Sequence, residues 1–156
     1  MASFRSILVP VVDHPASLDA VSIAAELARQ SKGTVSLVHV IEVGRDLPIT
    51  AEMENEARRG EDLLRQAQVL TQEGREINAS YQLLQARDAG QAIVDEAVER
   101  RVEVIILGLG YKPLLGQFQV GTTADYILKH AHCNVWIVRQ PLSAGTTPPS
   151  QAAARR

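Results

Sequence analysis

Short runs of β-branched and aliphatic residues alternate with segments of helical period along nearly the whole chain, and that alternation admits few folds. Residues 6–12 (SILVPVV) form an apolar run closed by Asp13, His14 and Pro15, which predicts a buried strand that begins the sheet. In residues 15–30, Leu18, Val21, Ala25 and Ala28 recur at helical spacing, with Asp13 or Ser17 available as a cap and Gly33 closing the segment. Residues 34–41 (TVSLVHVI) then give a second strand. Two strands separated by a helix are the signature of a parallel pair joined by a right-handed crossover, and they disfavour an antiparallel meander.

The pattern continues. Residues 42–50 carry Gly44 and Pro48 and read as a loop, and residues 51–72 as a long charged helix with Met53, Ala57, Leu64 and Ala67 on one face and Gly60 as a weak point. A third strand is expected over 77–84, and a third helix over 90–101 through Ile93, Val94, Ala97 and Val98. A fourth strand follows over 102–107 (VEVIIL), a fourth helix over 122–130 and a last strand over 135–139 (VWIVR). The expected architecture is α/β: an open five-stranded parallel sheet with helices on both faces, Rossmann-like in kind. Only 4% of the residues are aromatic, and the aliphatic remainder suits strands buried on both faces. A chain of 156 residues has room for one domain of this kind, spanning 1–140. Residues 141–156 (PLSAGTTPPSQAAARR) lack the apolar surface to offset their ordering entropy and are expected to be a disordered tail.

Several function classes are disfavoured at once. A formal net charge of -2 gives no electrostatic reason to expect nucleic acid as a partner. Cys133 is the only cysteine, so neither an internal disulfide nor a four-thiolate zinc site can form. No window reaches the roughly 20 apolar residues of a membrane span, and the N-terminus lacks a leader pattern, so a cytoplasmic location is expected. The His130-Ala131-His132-Cys133 element sits where a helix ends and turns, which seldom presents three ligands inward, and no resident metal is expected. His39 reads as a core or supporting histidine, and His14 is the one near the strand ends. There is no GxSxG elbow and no GxxxxGK[ST] phosphate loop, so neither an esterase nor a P-loop nucleotidase is expected.

In an open parallel sheet, ligands bind outside the carboxyl ends of the strands. That places attention on Pro10, Val11, Val12 and Asp13, on Val40, and on the stretch GLGYKPLLGQFQVGTT from Gly108 to Thr123. Its glycines permit close backbone approach, and the helix that follows offers free N–H groups and a positive dipole end to an anion. Lys112 adds a positive charge, and Thr122 and Thr123 add hydroxyls. The competing structural reading makes Thr122 an N-cap with Asp125 three residues on, and Lys112 a solvated surface charge.

Four phrases together resemble the universal stress protein family: ILVPVVDHPASLDAV, LVHVIEV, the loop from Gly108 to Thr122, and ILKHAHCNVWIVR. The resemblance implies a five-stranded sheet of the adenine nucleotide alpha hydrolase-like kind, a homodimer formed through the strand from Val135 to Val138 with Trp136 sealing the contact, and no catalytic residues. It also implies a role as a stress or signalling module that binds an adenine nucleotide, ATP, ADP or AMP, in one branch of the family. The base would lie near Val11, Val12 and Val40, and the phosphates near Gly108, Gly110, Gly121, Thr122 and Thr123. The binding branch carries Gly, two residues, Gly, nine residues, Gly and Ser or Thr. Here Gly108, Gly121 and Thr122 fit, while Tyr111 stands at the second glycine and Val12 where the family has an aspartate, with Asp13 displaced by one. The alternative is a nucleotide-independent dimeric interaction module of the same fold, acting through its dimer surface or the charged helix.

Overall fold

The computed structural model describes residues 4–74, 76–110 and 121–141. Its elements follow in the order β1 (Ser6–Pro10), α1 (Pro15–Ser31), β2 (Thr34–Glu42), α2 (Glu54–Gln72), β3 (Asn78–Ala86), α3 (Ala89–Glu99), β4 (Val104–Leu109), α4 (Thr122–His130) and β5 (Asn134–Arg139). The five strands form one sheet in the order β3-β2-β1-β4-β5, and every pairing is parallel. The expected fold class is therefore present.

Strand alternation sorts the core into two layers. Ile7, Val9, Val35, Leu37, Val104 and Ile106 point to the face covered by α1 and α2, where Val21, Ala24, Leu64 and Ala67 meet them. Leu8, Val38, Ile105 and Leu107 point to the other face, under Ile93, Val94 and Ala97 of α3 and Ala124 and Ile127 of α4. The three central strands are covered on both sides, which explains their continuous apolar runs.

Several boundaries and caps differ from expectation, each for a local reason. β1 stops at Pro10 and not at Val12, because the Val12 N–H turns away from the ladder to donate to Ser17 Oγ at 3.0 Å. Neither Asp13 nor Ser17 caps α1: His14 is the N-cap, and its Nδ1 accepts from the Ala16 N–H at 3.0 Å. Lys32, with φ of 56°, takes the left-handed position that ends α1, while Gly33 is needed because a Cβ there would lie 2.4 Å from the Arg5 carbonyl oxygen. α2 begins at Glu54, since residues before it are held to β3 by Gln85 Nε2, which donates to the carbonyls of Ile49 and Ala51 at 3.0 and 3.1 Å. Gly60 is buried and not merely a weak point: a Cβ would sit 2.6 Å from the His39 ring, so its absence lets α2 close on β2. β3 runs two residues further than expected, to Ala86, paired along its whole length with β2. β4 starts at Val104 because the Val102 N–H is bonded to Ala97 at the end of α3.

β5 is an edge strand. Trp136 packs edge-on against Phe4, with ring centroids 5.0 Å apart, inside its own chain, and the outward apolar side chain of β5 is Ile137. No helix among the described residues is long and apolar enough to cross a membrane. The expected tail beyond residue 141 lies outside the described residues.

Candidate functional site

The sheet order has a switch point. β2 and β3 lie on one side of β1, and β4 and β5 on the other. β1 pairs with β4 at only two positions, Ile7 with Val104 and Leu8 with Ile105, and beyond them the strands diverge. α1 enters the gap so closely that a Cβ on Gly108 would lie 2.2 Å from the Ala16 carbonyl oxygen and 2.5 Å from the Ser17 nitrogen. Between the diverging strands, on the side covered by α3 and α4, opens a cleft of about 430 Å³, inside the ~300–1,000 Å³ range of small-molecule sites.

Its walls come from all five of the places that meet there. Pro10, Val11 and Val12 form the end of β1, Val38, Val40 and Glu42 the end of β2, and Gly108 and Gly110 the end of β4, with Ala89 and Ile93 from α3 and Gly121, Thr122 and Thr123 from α4. Most of the expected site residues are thus brought together. Asp13 is not among them: it is exposed and lines a different groove with His39, Glu56, Arg59 and Asp62. Side chains alternate across the strand end, so a displacement of one residue points Asp13 away. Val12 is in the wall and remains 45% exposed, an apolar side chain held at the mouth. Lys112 and Tyr111 lie outside the described residues.

The end of β1 is held by Ser17, which is completely buried. Its hydroxyl accepts from the Val12 N–H and donates to the Pro10 carbonyl at 3.3 Å. Ser17→Ala removes both bonds and is expected to cost about 1–2 kcal/mol of stability; urea unfolding checks it, and an unchanged midpoint would show that water replaces the hydroxyl at no cost. From the β2 side, His39 Nδ1 donates to the Val11 carbonyl at 2.6 Å, the supporting role expected of it.

The polar groups of the cleft are unevenly distributed. At the β2 end Glu42 supplies a carboxylate, which also accepts from the Ala89 N–H at 3.4 Å. Asp88 caps α3 by accepting from Gln91 N–H. α4 is different: its N-cap is Gly121, and no side chain caps it, so Thr122 is the first helical residue and not the cap of the competing reading. Asp125 instead pairs with Lys129 at 3.0 Å. Donors therefore face the cleft at the α4 end, and Val38, Val40, Ile93 and Leu107 line the part between. Gly108 and Gly110 are demanded by the chain's own packing, but Gly121 is not. Its φ is an ordinary -65°, and among the described residues no atom comes within 4 Å of where its Cβ would be.

The sequence model of the universal stress protein family matches residues 3–139. The chain belongs to that family. A curated universal stress protein of Methanocaldococcus jannaschii is 25% identical over 144 residues, covering 88% of this chain and 84% of the relative. Among solved structures, the universal stress protein UspA of Lactobacillus plantarum is similar with a TM-score of 0.73 at 23% identity, covering 89% of this chain and all of its own. The universal stress protein of Archaeoglobus fulgidus in complex with dAMP is similar with a TM-score of 0.67 at 21% identity, covering 88% of this chain and 99% of its own.

Sequence reasoning weighed His14 only for its position and did not place Glu42, Ala89, Ile93 or Leu107 in the wall of this universal stress protein's cleft. Ile93 and Leu107 lie where apolar periodicity is fully explained by the core, and Glu42 and Ala89 fall just outside the expected strand and helix, so only the sheet order reveals that they border a cavity. At the opposite end of the sheet, burial pushes the Cys133 thiol up from its ordinary value, which disfavours the thiolate. His130 stacks on Tyr126 with ring centroids 4.3 Å apart. Among the described residues no group of three His, Cys, Asp or Glu side chains is placed to hold a metal ion.

Proposed function

We propose that this universal stress protein binds an adenine nucleotide, ATP, ADP or AMP, with its phosphate on the N-terminus of α4 and its base against Val38, Val40 and Ile93. The observation that carries the reading is the α4 end of the cleft. There an uncapped helix start follows a glycine whose missing side chain no described atom accounts for, and that is the condition for a phosphate to approach the backbone. The dAMP held by the Archaeoglobus fulgidus relative of the same fold supports an adenine nucleotide as the ligand. In this reading the nucleotide is held and not turned over. A protein partner in the cytoplasm distinguishes the bound from the empty state in a stress or signalling response.

Calorimetry on protein freed of ligand by unfolding and refolding tests this with ATP, ADP, AMP and cyclic AMP. Micromolar binding of at least one is expected; none up to millimolar would leave a nucleotide-independent interaction module. The dimer belongs to the same proposal. Among the described residues β5 has a free ladder edge, and Ile137 on it is 41% exposed. Sedimentation equilibrium is expected to show a dimer for the wild type and a monomer for Ile137→Lys, and a dimer in both would move the contact elsewhere.

A further inference from the structure

We propose that His14 is a ligand-binding residue whose Nε2–H donates to the phosphate from the wall facing α4, which makes the site selective for a nucleotide over its nucleoside. This rests on the reading of the cleft as an adenine-nucleotide site. The ring lines the cleft. Its Nδ1 is engaged as an acceptor from the Ala16 N–H at 3.0 Å, the bond that caps α1. A neutral imidazole with one nitrogen accepting carries its proton on the other, so Nε2 is a donor. The cap fixes the ring plane as well as the tautomer.

That donor is aimed at the end of β4. A Cβ on Gly110 would lie 2.2 Å from Nε2, and 2.5 Å from the neighbouring ring carbon, so glycine at 110 is what lets the imidazole lie across the strand end. Among the described residues Nε2 has no hydrogen-bond partner, and it lies in a wall shared with Gly121, Thr122 and Thr123. The one carboxylate of the wall, Glu42, is on β2 and is already engaged with the start of α3. An anion between β4 and α4 is thereby met by backbone N–H groups and threonine hydroxyls on one side and by an imidazole N–H on the other. A neutral nucleoside places nothing there for His14 to bond.

The experiment separates the two roles of the ring. Asparagine caps a helix as well as any residue but does not reach the position of Nε2. In His14→Asn the affinity for AMP is expected to fall about tenfold, with adenosine affinity and melting temperature unchanged; His14→Ala is expected to lose the same AMP affinity and also the cap. Independently of any variant, the His14 Nε2–H resonance in the wild type is expected to move on addition of AMP and to stay in place with adenosine. Equal loss for AMP and adenosine, or no loss for either, would reduce His14 to a cap. Wild-type binding of inorganic pyrophosphate in a His14-dependent manner, without binding of AMP, would remove the adenine reading and keep the phosphate contact. No binding of AMP, adenosine or pyrophosphate would remove both.

Discussion

Gly108→Ala is expected to destabilise the protein by about 3 kcal/mol, the upper end of what overpacking costs, and to lower its melting temperature by roughly 10 °C. The added methyl group would overlap the Ala16 carbonyl oxygen and the Ser17 nitrogen, both backbone atoms of α1. Neither can rotate aside. Relief requires the start of α1 or the end of β4 to move, and the same movement disturbs the Pro10–Val12 segment that Ser17 holds. Thermal and urea unfolding measure the effect. A melting temperature equal to the wild type's would show that α1 does not press on β4 as closely as described. The substitution is also expected to weaken nucleotide binding, indirectly, by shifting two walls of the cleft.

Gly121→Asp is expected to do the reverse. Aspartate is at least as good an N-cap as glycine, and its charge suits the positive end of α4, so stability should be unchanged or a few tenths of a kcal/mol higher. No described atom obstructs its Cβ, and a φ of -65° suits any residue. A phosphate at the same place, however, would face a carboxylate at about 4 Å. At an effective dielectric constant of about 20 that repulsion is about 4 kcal/mol, and solvent access at the cleft mouth reduces it, leaving an expected loss of at least about a hundredfold in AMP affinity. Unchanged AMP binding in a stably folded variant would place the phosphate elsewhere. The two substitutions are thus expected to separate the glycines of one sequence motif: Gly108 by its effect on the fold and Gly121 by its effect on nucleotide binding.

The βα alternation was legible because each strand is buried on both faces and each helix has a clear apolar stripe, as in Ile93, Val94 and Ala97. The ends of β1 and β4 were legible as cleft walls because open parallel sheets form their crevices at the carboxyl ends of the strands. What was not legible depends on sheet order and side-chain direction. No local pattern says that β1 lies between β2 and β4, so Glu42 and Ile93 were invisible as cleft residues. Asp13 was read as a candidate contact from its place at the end of the first strand, one residue from the position of the family's aspartate, whereas the backbone turning after Pro10 sends it to the α2 side. His14 was overlooked as a cap because aspartate and serine, better capping residues by type, flank it. Ser17 is occupied inside α1 with the end of β1. Gly60 looked like a flaw in a helix because its neighbour His39 belongs to another element.

The claim at the centre of the account is that a nucleotide's phosphate rests on the start of α4, and amide NMR of the isotope-labelled protein titrated with AMP and with adenosine tests it most directly. The account predicts that the Thr122 and Thr123 amides move strongly with AMP and little with adenosine, while resonances of Val40 and Ile93 move with both. Shifts confined to other parts of the surface, or Thr122 and Thr123 amides indifferent to AMP at saturation, would contradict it.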